Sequence, residues 1–91
     1  MIKKIEGLEN NTKLEELELY DNRIRVIENL SHLTNLVYLD LSFNRIKVIE
    51  GIESLVNLKK LYLVSNRIKK VKLFQEIKQL FRLRAFQLLA S

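Results

Sequence analysis

Residues 14–22 read Leu14-Glu15-Glu16-Leu17-Glu18-Leu19-Tyr20-Asp21-Asn22. The same frame returns as Leu36-Val37-Tyr38-Leu39-Asp40-Leu41-Ser42-Phe43-Asn44, and again as Leu58-Lys59-Lys60-Leu61-Tyr62-Leu63-Val64-Ser65-Asn66. The interval is 22 residues both times, with no insertion or deletion. A fixed period of about 20–29 residues in this L-x-x-L-x-L-x-x-N frame marks stacked repeats, each a unit that buries its apolar side against its neighbours.

The L-x-L core of each frame alternates as a short strand with one buried face does. The leucines point into the coil and the intervening residues point out. Strands of successive coils then pair into a parallel sheet, about 4.8 Å apart. The expected architecture is α/β: a right-handed solenoid with the parallel sheet on its concave face and short 3₁₀ or helical turns on its convex face, near residues 29–35 and 51–57. Glu16, Glu18 and Tyr20, then Tyr38, Asp40 and Ser42, then Lys60, Tyr62 and Val64 stand outward on the sheet. Asn22, Asn44 and Asn66 close the strands, where an asparagine tolerates a turn and bonds backbone groups of its own coil and the next; they are read as a buried structural ladder.

The return half is equally regular. Ile24, Ile46 and Ile68 share one level, and Ile5, Ile27, Ile49 and Val71 another, with Leu8, Leu30, Ile52 and Phe74 beyond. Glu6, Glu28 and Glu50 stack at one level and Arg25, Lys47 and Lys69 at the level three residues before it; they are read as alternating-sign ladders, each pair contributing about 0–1 kcal/mol.

The pattern fails at the ends. Residues 1–13 form a half coil with no strand before it, and residues 14–71 carry the repeats; the opening therefore reads as a fragment boundary or a poorly covered end. For residues 72–91 two readings compete. Leu80, Leu83 and Ala85 keep the 22-residue spacing of a degenerate final coil, but Leu88 stands where asparagine belongs. Phe74, Ile77, Leu80 or Phe81, Leu88 and Leu89 also recur at helical spacing and fit an amphipathic capping helix. The preferred reading is a helix to about residue 80, then a final short strand or coil.

Ninety-one residues make one domain at most, and an apolar share of 47% with 30% charged residues describes a folded chain. With no cysteine there is neither a disulfide framework nor a thiolate metal site, which leans toward the cytoplasm or nucleus. No stretch reaches the ~20 apolar residues that span a bilayer, so no membrane partner is expected. The net charge of +5 collects largely from residue 59 onward, where nine cations face Glu76 alone. It reads as a solvated basic end rather than a nucleic-acid site; RNA contact through Arg82 and Arg84 is the weakest of the readings. His32 is the single histidine and has no second ligand beside it in the repeat. Ser31, Ser42, Ser54, Ser65 and Ser91 lack a base. Gly7 and Gly51 occupy equivalent turns and cannot cradle a phosphate. No catalysis, metal or cofactor is expected.

The unit N-x-I-x-x-I-E-x-[LI]-x-x-L-x-x-L, carried by Leu19-Tyr20-Asp21-Asn22, Ile27-Glu28-Asn29-Leu30 and Leu39-Asp40-Leu41-Ser42-Phe43-Asn44 over about residues 2–70, resembles the 22-residue class of intracellular eukaryotic leucine-rich repeats. Within it the chain is most similar to the leucine-rich-repeat regulatory subunits of type-one serine/threonine protein phosphatase. A bacterial surface class of the same period usually carries proline in the return segment, and this chain has none. The resemblance implies a solenoid that grips the phosphatase catalytic subunit with its concave face, through an acidic and an aromatic residue matched here by Asp40 and Tyr62.

Function is therefore expected at the outward sheet positions Glu16, Glu18, Tyr20, Tyr38, Asp40, Lys60 and Tyr62, in a non-catalytic protein-binding scaffold. Its aromatic residues bring large contact area at low entropic cost, although tyrosine also has high strand propensity. The competing reading is a structural repeat unit, a fragment or recombined array, that has no partner of its own and self-associates through uncapped ends.

Overall fold

The computed structural model describes residues 1–88; the readings made for Leu89, Ser91 and the side chain of Phe74 lie outside what it describes. Four strands follow the repeat: β1 (Glu16–Glu18), β2 (Tyr38–Asp40), β4 (Lys60–Tyr62) and β6 (Ala85–Gln87), paired in that order as one parallel sheet. Between them lie β3 (Val48–Ile49), β5 (Lys70–Val71) and the helix α1 (Phe74–Arg82). The register is that of the period: Glu16 opposite Tyr38 opposite Lys60, and Glu18 opposite Asp40 opposite Tyr62.

Leucine and isoleucine rows fill the interior. Leu39, Leu41, Leu61, Ile24, Ile46 and Ile52 are fully buried, each contributing about 1.5–3 kcal/mol over an exposed position. Leu17 of β1 and Leu19 just after it are only half-buried, because they have a neighbouring coil on one side.

The asparagines act as read. Each Oδ1 accepts a backbone N–H from the coil before it: Ile2 to Asn22, Ile24 to Asn44 and Ile46 to Asn66, all at 2.9 Å. Each Nδ2 donates to carbonyls at the end of its own strand, and those of Asn44 and Asn66 also reach Leu19 O and Leu41 O in the preceding coil. Burial is complete only for Asn44; Asn22 and Asn66 are half-buried.

A second ladder was not legible as such. Asn35, Asn57 and Gln79 donate to Thr12 O, Thr34 O and Leu55 O of the preceding coil. Two ladders of left-handed backbone accompany it: Asp21, Phe43 and Ser65 with φ of 61°, 58° and 55°, and Gly7, Asn29 and Gly51 with φ of 80°, 61° and 69°.

Four features refine or correct the expectations. The stretches near 29–35 and 51–57 are short turns. Each holds two single turns closed by i→i+3 bonds, Leu33 N–H to Leu30 O and Leu36 N–H to Leu33 O in one coil, Leu55 to Ile52 and Leu58 to Leu55 in the next. The return segment also pairs, β3 with β5, which the sequence pattern did not announce. Glu50 does not meet Lys47; its partner is Lys72, one coil on, at 3.5 Å.

The fourth correction concerns the last coil. It is longer than 22 residues: Leu61 lies opposite Phe86, not Leu83, a step of 25. The helix takes the extra residues. Leu88 accordingly follows Leu63 rather than replacing an asparagine, and packs partly buried against the core.

The helix also docks by an unexpected face. Its buried side chains are Glu76 and Gln79, at 0% and 3% exposure, beside the half-buried Leu80, while Ile77 and Phe81 stand out at 37% and 86%. The reason is backbone satisfaction. The third coil presents the Gly51 N–H and the Leu55 carbonyl to the space a fourth coil would fill, and buried backbone groups need partners. Glu76 Oε1 accepts from Gly51 N at 3.1 Å and Gln79 Nε2 donates to Leu55 O.

Candidate functional site

The sheet brings all seven predicted residues to its outward face in three rows. Glu16, Tyr38 and Lys60 form the first and Glu18, Asp40 and Tyr62 the second, each set by strand register. Beyond them the chain stays paired through Asp21 N–H to Ser42 O and Phe43 N–H to Val64 O, which aligns Tyr20, Ser42 and Val64 as the third.

The rows are not equivalent. Glu16, Glu18 and Lys60 are exposed, as is Tyr20 at 56%, whereas Tyr38, Asp40 and Tyr62 are half-buried. Tyr38 and Tyr62 touch diagonally across adjacent strands, ring centres 5.5 Å apart and tilted by 52°, a favourable aromatic geometry. Burial, with the carboxylates of Asp40 and Glu18 beside it, pushes the Tyr38 hydroxyl up, so this ring stays neutral at physiological pH.

Asp40 is partly committed to structure: its Oδ1 accepts the Ser42 N–H at 2.9 Å, an Asx-type turn that ends β2. Ser42 is buried at 6% rather than presented, and its hydroxyl accepts from Val64 N–H at 3.1 Å.

A groove of about 480 Å³ opens beside the tyrosine pair. Tyr20, Phe43, Tyr62 and Val64 supply its apolar lining and Asp40, Ser42 and Gln87 its polar groups. Gln87 could not be found from sequence, because the 22-residue spacing placed a different residue there. Phe43 is 55% exposed with φ of 58°, where a β-carbon crowds the backbone. The positive φ belongs to the ladder position, shared with Asp21 and Ser65; the exposed aromatic ring is particular to this coil.

His32 Nε2 lies 2.8 Å from Leu8 O and joins two coils. Among the described residues no cluster of His, Cys, Asp and Glu forms that could hold a metal ion, and no helix is long and apolar enough to cross a membrane.

The chain belongs to the leucine-rich repeat family: residues 12–46 and 34–78 each match its paired-repeat description, Leucine Rich repeats (2 copies). No curated protein matches the chain. Among solved structures it is similar to an internalin (inlF) from Listeria monocytogenes, with a TM-score of 0.73 and 25% identity over 92% of this chain. It is also similar in fold to an internalin C2 (inlC2) from the same organism, with a TM-score of 0.67 and 22% identity over 91%. It spans 25% of the first of those chains and 45% of the second.

Proposed function

We propose that the chain is a protein-binding scaffold whose docking surface is the outward face of the sheet, centred on the Tyr38–Tyr62 pair and the groove lined by Tyr20, Phe43 and Val64. Membership of a family of binding repeats supports the scaffold, and such folds are typically non-catalytic. The strained, exposed Phe43 supports the location. The acidic end at Glu16, Glu18 and Asp40 and the basic residue Lys60 would orient a partner with a complementary gradient.

The catalytic subunit of type-one phosphatase, in the cytoplasm or nucleus, is the partner that the repeat consensus points to, with Asp40 and Tyr62 as contacts and the sheet on the concave side of a right-handed coil. Pull-down with purified catalytic subunit tests it. The natural chain is expected to capture the phosphatase, the Asp40→Lys, Tyr62→Ala variant to lose at least tenfold of that capture, and equal capture by both removes the sheet face from the account.

Self-association is the second reading, favoured by one observation. Leu73, Ile77 and Phe81 recur every four residues along the outer side of the helix region, exposed at 42%, 37% and 86%. A dimer built on that stripe would dissociate on Phe81→Ser, read by sedimentation over a hundredfold concentration range.

A further inference from the structure

We propose a second binding surface, distinct from the sheet face: a cationic double row that holds a linear phosphate polyanion through its phosphates alone. Each asparagine of the ladder is followed at once by an arginine, Arg23, Arg45 and Arg67. The ladder therefore sets their alignment, and their backbone N–H groups bond to Ile2 O, Ile24 O and Ile46 O at 2.8–2.9 Å. Two residues on, Lys3, Arg25 and Lys47 form a parallel row, which Lys69 extends through its N–H bond to Lys47 O at 2.8 Å.

Cations in neighbouring coils stand about 4.8 Å apart at the backbone, and the two rows about 6–7 Å apart. None of these side chains makes an ion pair or hydrogen bond among the described residues. Between the rows lies a concavity of about 370 Å³ lined by Lys3, Arg23, Arg25 and Arg45. Like charges held in register repel, so a binding-free fold would be better served by alternating signs. The residues after Asn22, Asn44 and Asn66 are positive in every coil.

The chemistry of the ligand follows from the lining. Planar guanidinium forks suit tetrahedral oxyanions bidentately. The concavity between Lys3 and Arg45 has no aromatic platform for stacking bases and no apolar anchor, and the next along the rows, lined by Arg25, Arg45, Lys47 and Arg67, adds only Val26 and Val48 beside Glu50. What remains is a chain of phosphates running from coil to coil between the rows. Of the positive charge that collects from residue 59 onward, only Arg67 and Lys69 belong to these rows.

Binding of fluorescent inorganic polyphosphate to the full chain, followed by anisotropy across salt, tests the proposal. The expected affinity falls roughly 300-fold between 50 and 200 mM salt, as neutralising about six phosphates of a single strand requires. Arg23→Gln, Arg45→Gln should weaken binding more than tenfold with an unchanged circular dichroism spectrum, and Lys13→Gln, Lys59→Gln, the same charge removed elsewhere, less than threefold. Should the double variant unfold, Arg23→Gln alone is expected to weaken binding threefold or more. Three results overturn the proposal: equal losses from both double variants, equal affinity for polyglutamate of matched charge, or tighter binding of poly(U) than of polyphosphate at equal phosphate count.

Discussion

Gly51 sits with φ of 69°, and a β-carbon added there would lie 3.0 Å from the Ile27 carbonyl oxygen. Gly7, its counterpart two coils earlier, has φ of 80° and open space around it. The left-handed backbone alone costs an L-residue about 1–2 kcal/mol. Gly51→Ala is therefore expected to lose about 2 kcal/mol or more in urea unfolding and Gly7→Ala about 1 kcal/mol, a difference that isolates the contact with Ile27. Phe43 is the inverse case. Phe43→Gly should leave stability unchanged or raise it by up to about 1 kcal/mol, since relief of the strained φ offsets the freedom glycine gains when unfolded. The same variant should capture less partner. A loss of stability would show that the ring serves packing instead. At this scale the sequence was most informative where a residue type has one use, as with Asn22, Asn44 and Asn66. It was silent where conformation decides, since nothing in Phe43 as a letter shows a positive φ.

The helix Phe74–Arg82 meets the repeats through a carboxyl rather than through its aromatic residues. Glu76 Oε2 is buried with no hydrogen-bond partner, and burial followed by the adjacent Glu53 pushes the Glu76 carboxyl above the ordinary range. Glu53 is pulled below it, the neighbouring Glu76 carboxyl being the largest cause. The signs follow. A carboxyl raised on folding stabilises fully below its unfolded value of 4.5 and loses that contribution as pH rises through the folded value; one lowered on folding stabilises above 4.5 and loses it as pH falls through its folded value. Helix docking is thus expected to weaken as pH rises above 4.5 and Glu76 loses its proton. Glu76→Gln keeps the acceptor for Gly51 N–H and supplies a permanent donor. It should raise the melting temperature at pH 7 by a few degrees and flatten the melting profile over pH 4.5–7. A variant less stable than the natural chain at pH 7 would refute this. The helix was legible in Gln75 to Arg82, good helix formers with no glycine or proline, but its docking face was not. Helical spacing identified an apolar stripe, whereas the unpaired backbone of the third coil called for Glu76 and Gln79.

Across the whole molecule the 22-residue period carries further than any single contact. It places Leu39 on Leu61, stacks three asparagines, and leaves each outward row to vary freely, so that one sheet presents a tyrosine pair and the segment after each ladder asparagine presents cations. The seven face residues were readable because alternation along a strand and register between strands fix both direction and neighbour. The groove was only partly readable, because the final strand arrives after a 25-residue step that no repeat predicts. Backbone couplings across hydrogen bonds, measured by NMR on isotopically labelled protein, test this stacking most directly. The account predicts couplings from Leu19 N–H to the Asp40 carbonyl, from Leu41 N–H to Tyr62 and from Leu63 N–H to Gln87. Their absence, or a coupling that pairs the third strand with residues 82–84 at the 22-residue spacing, would contradict it.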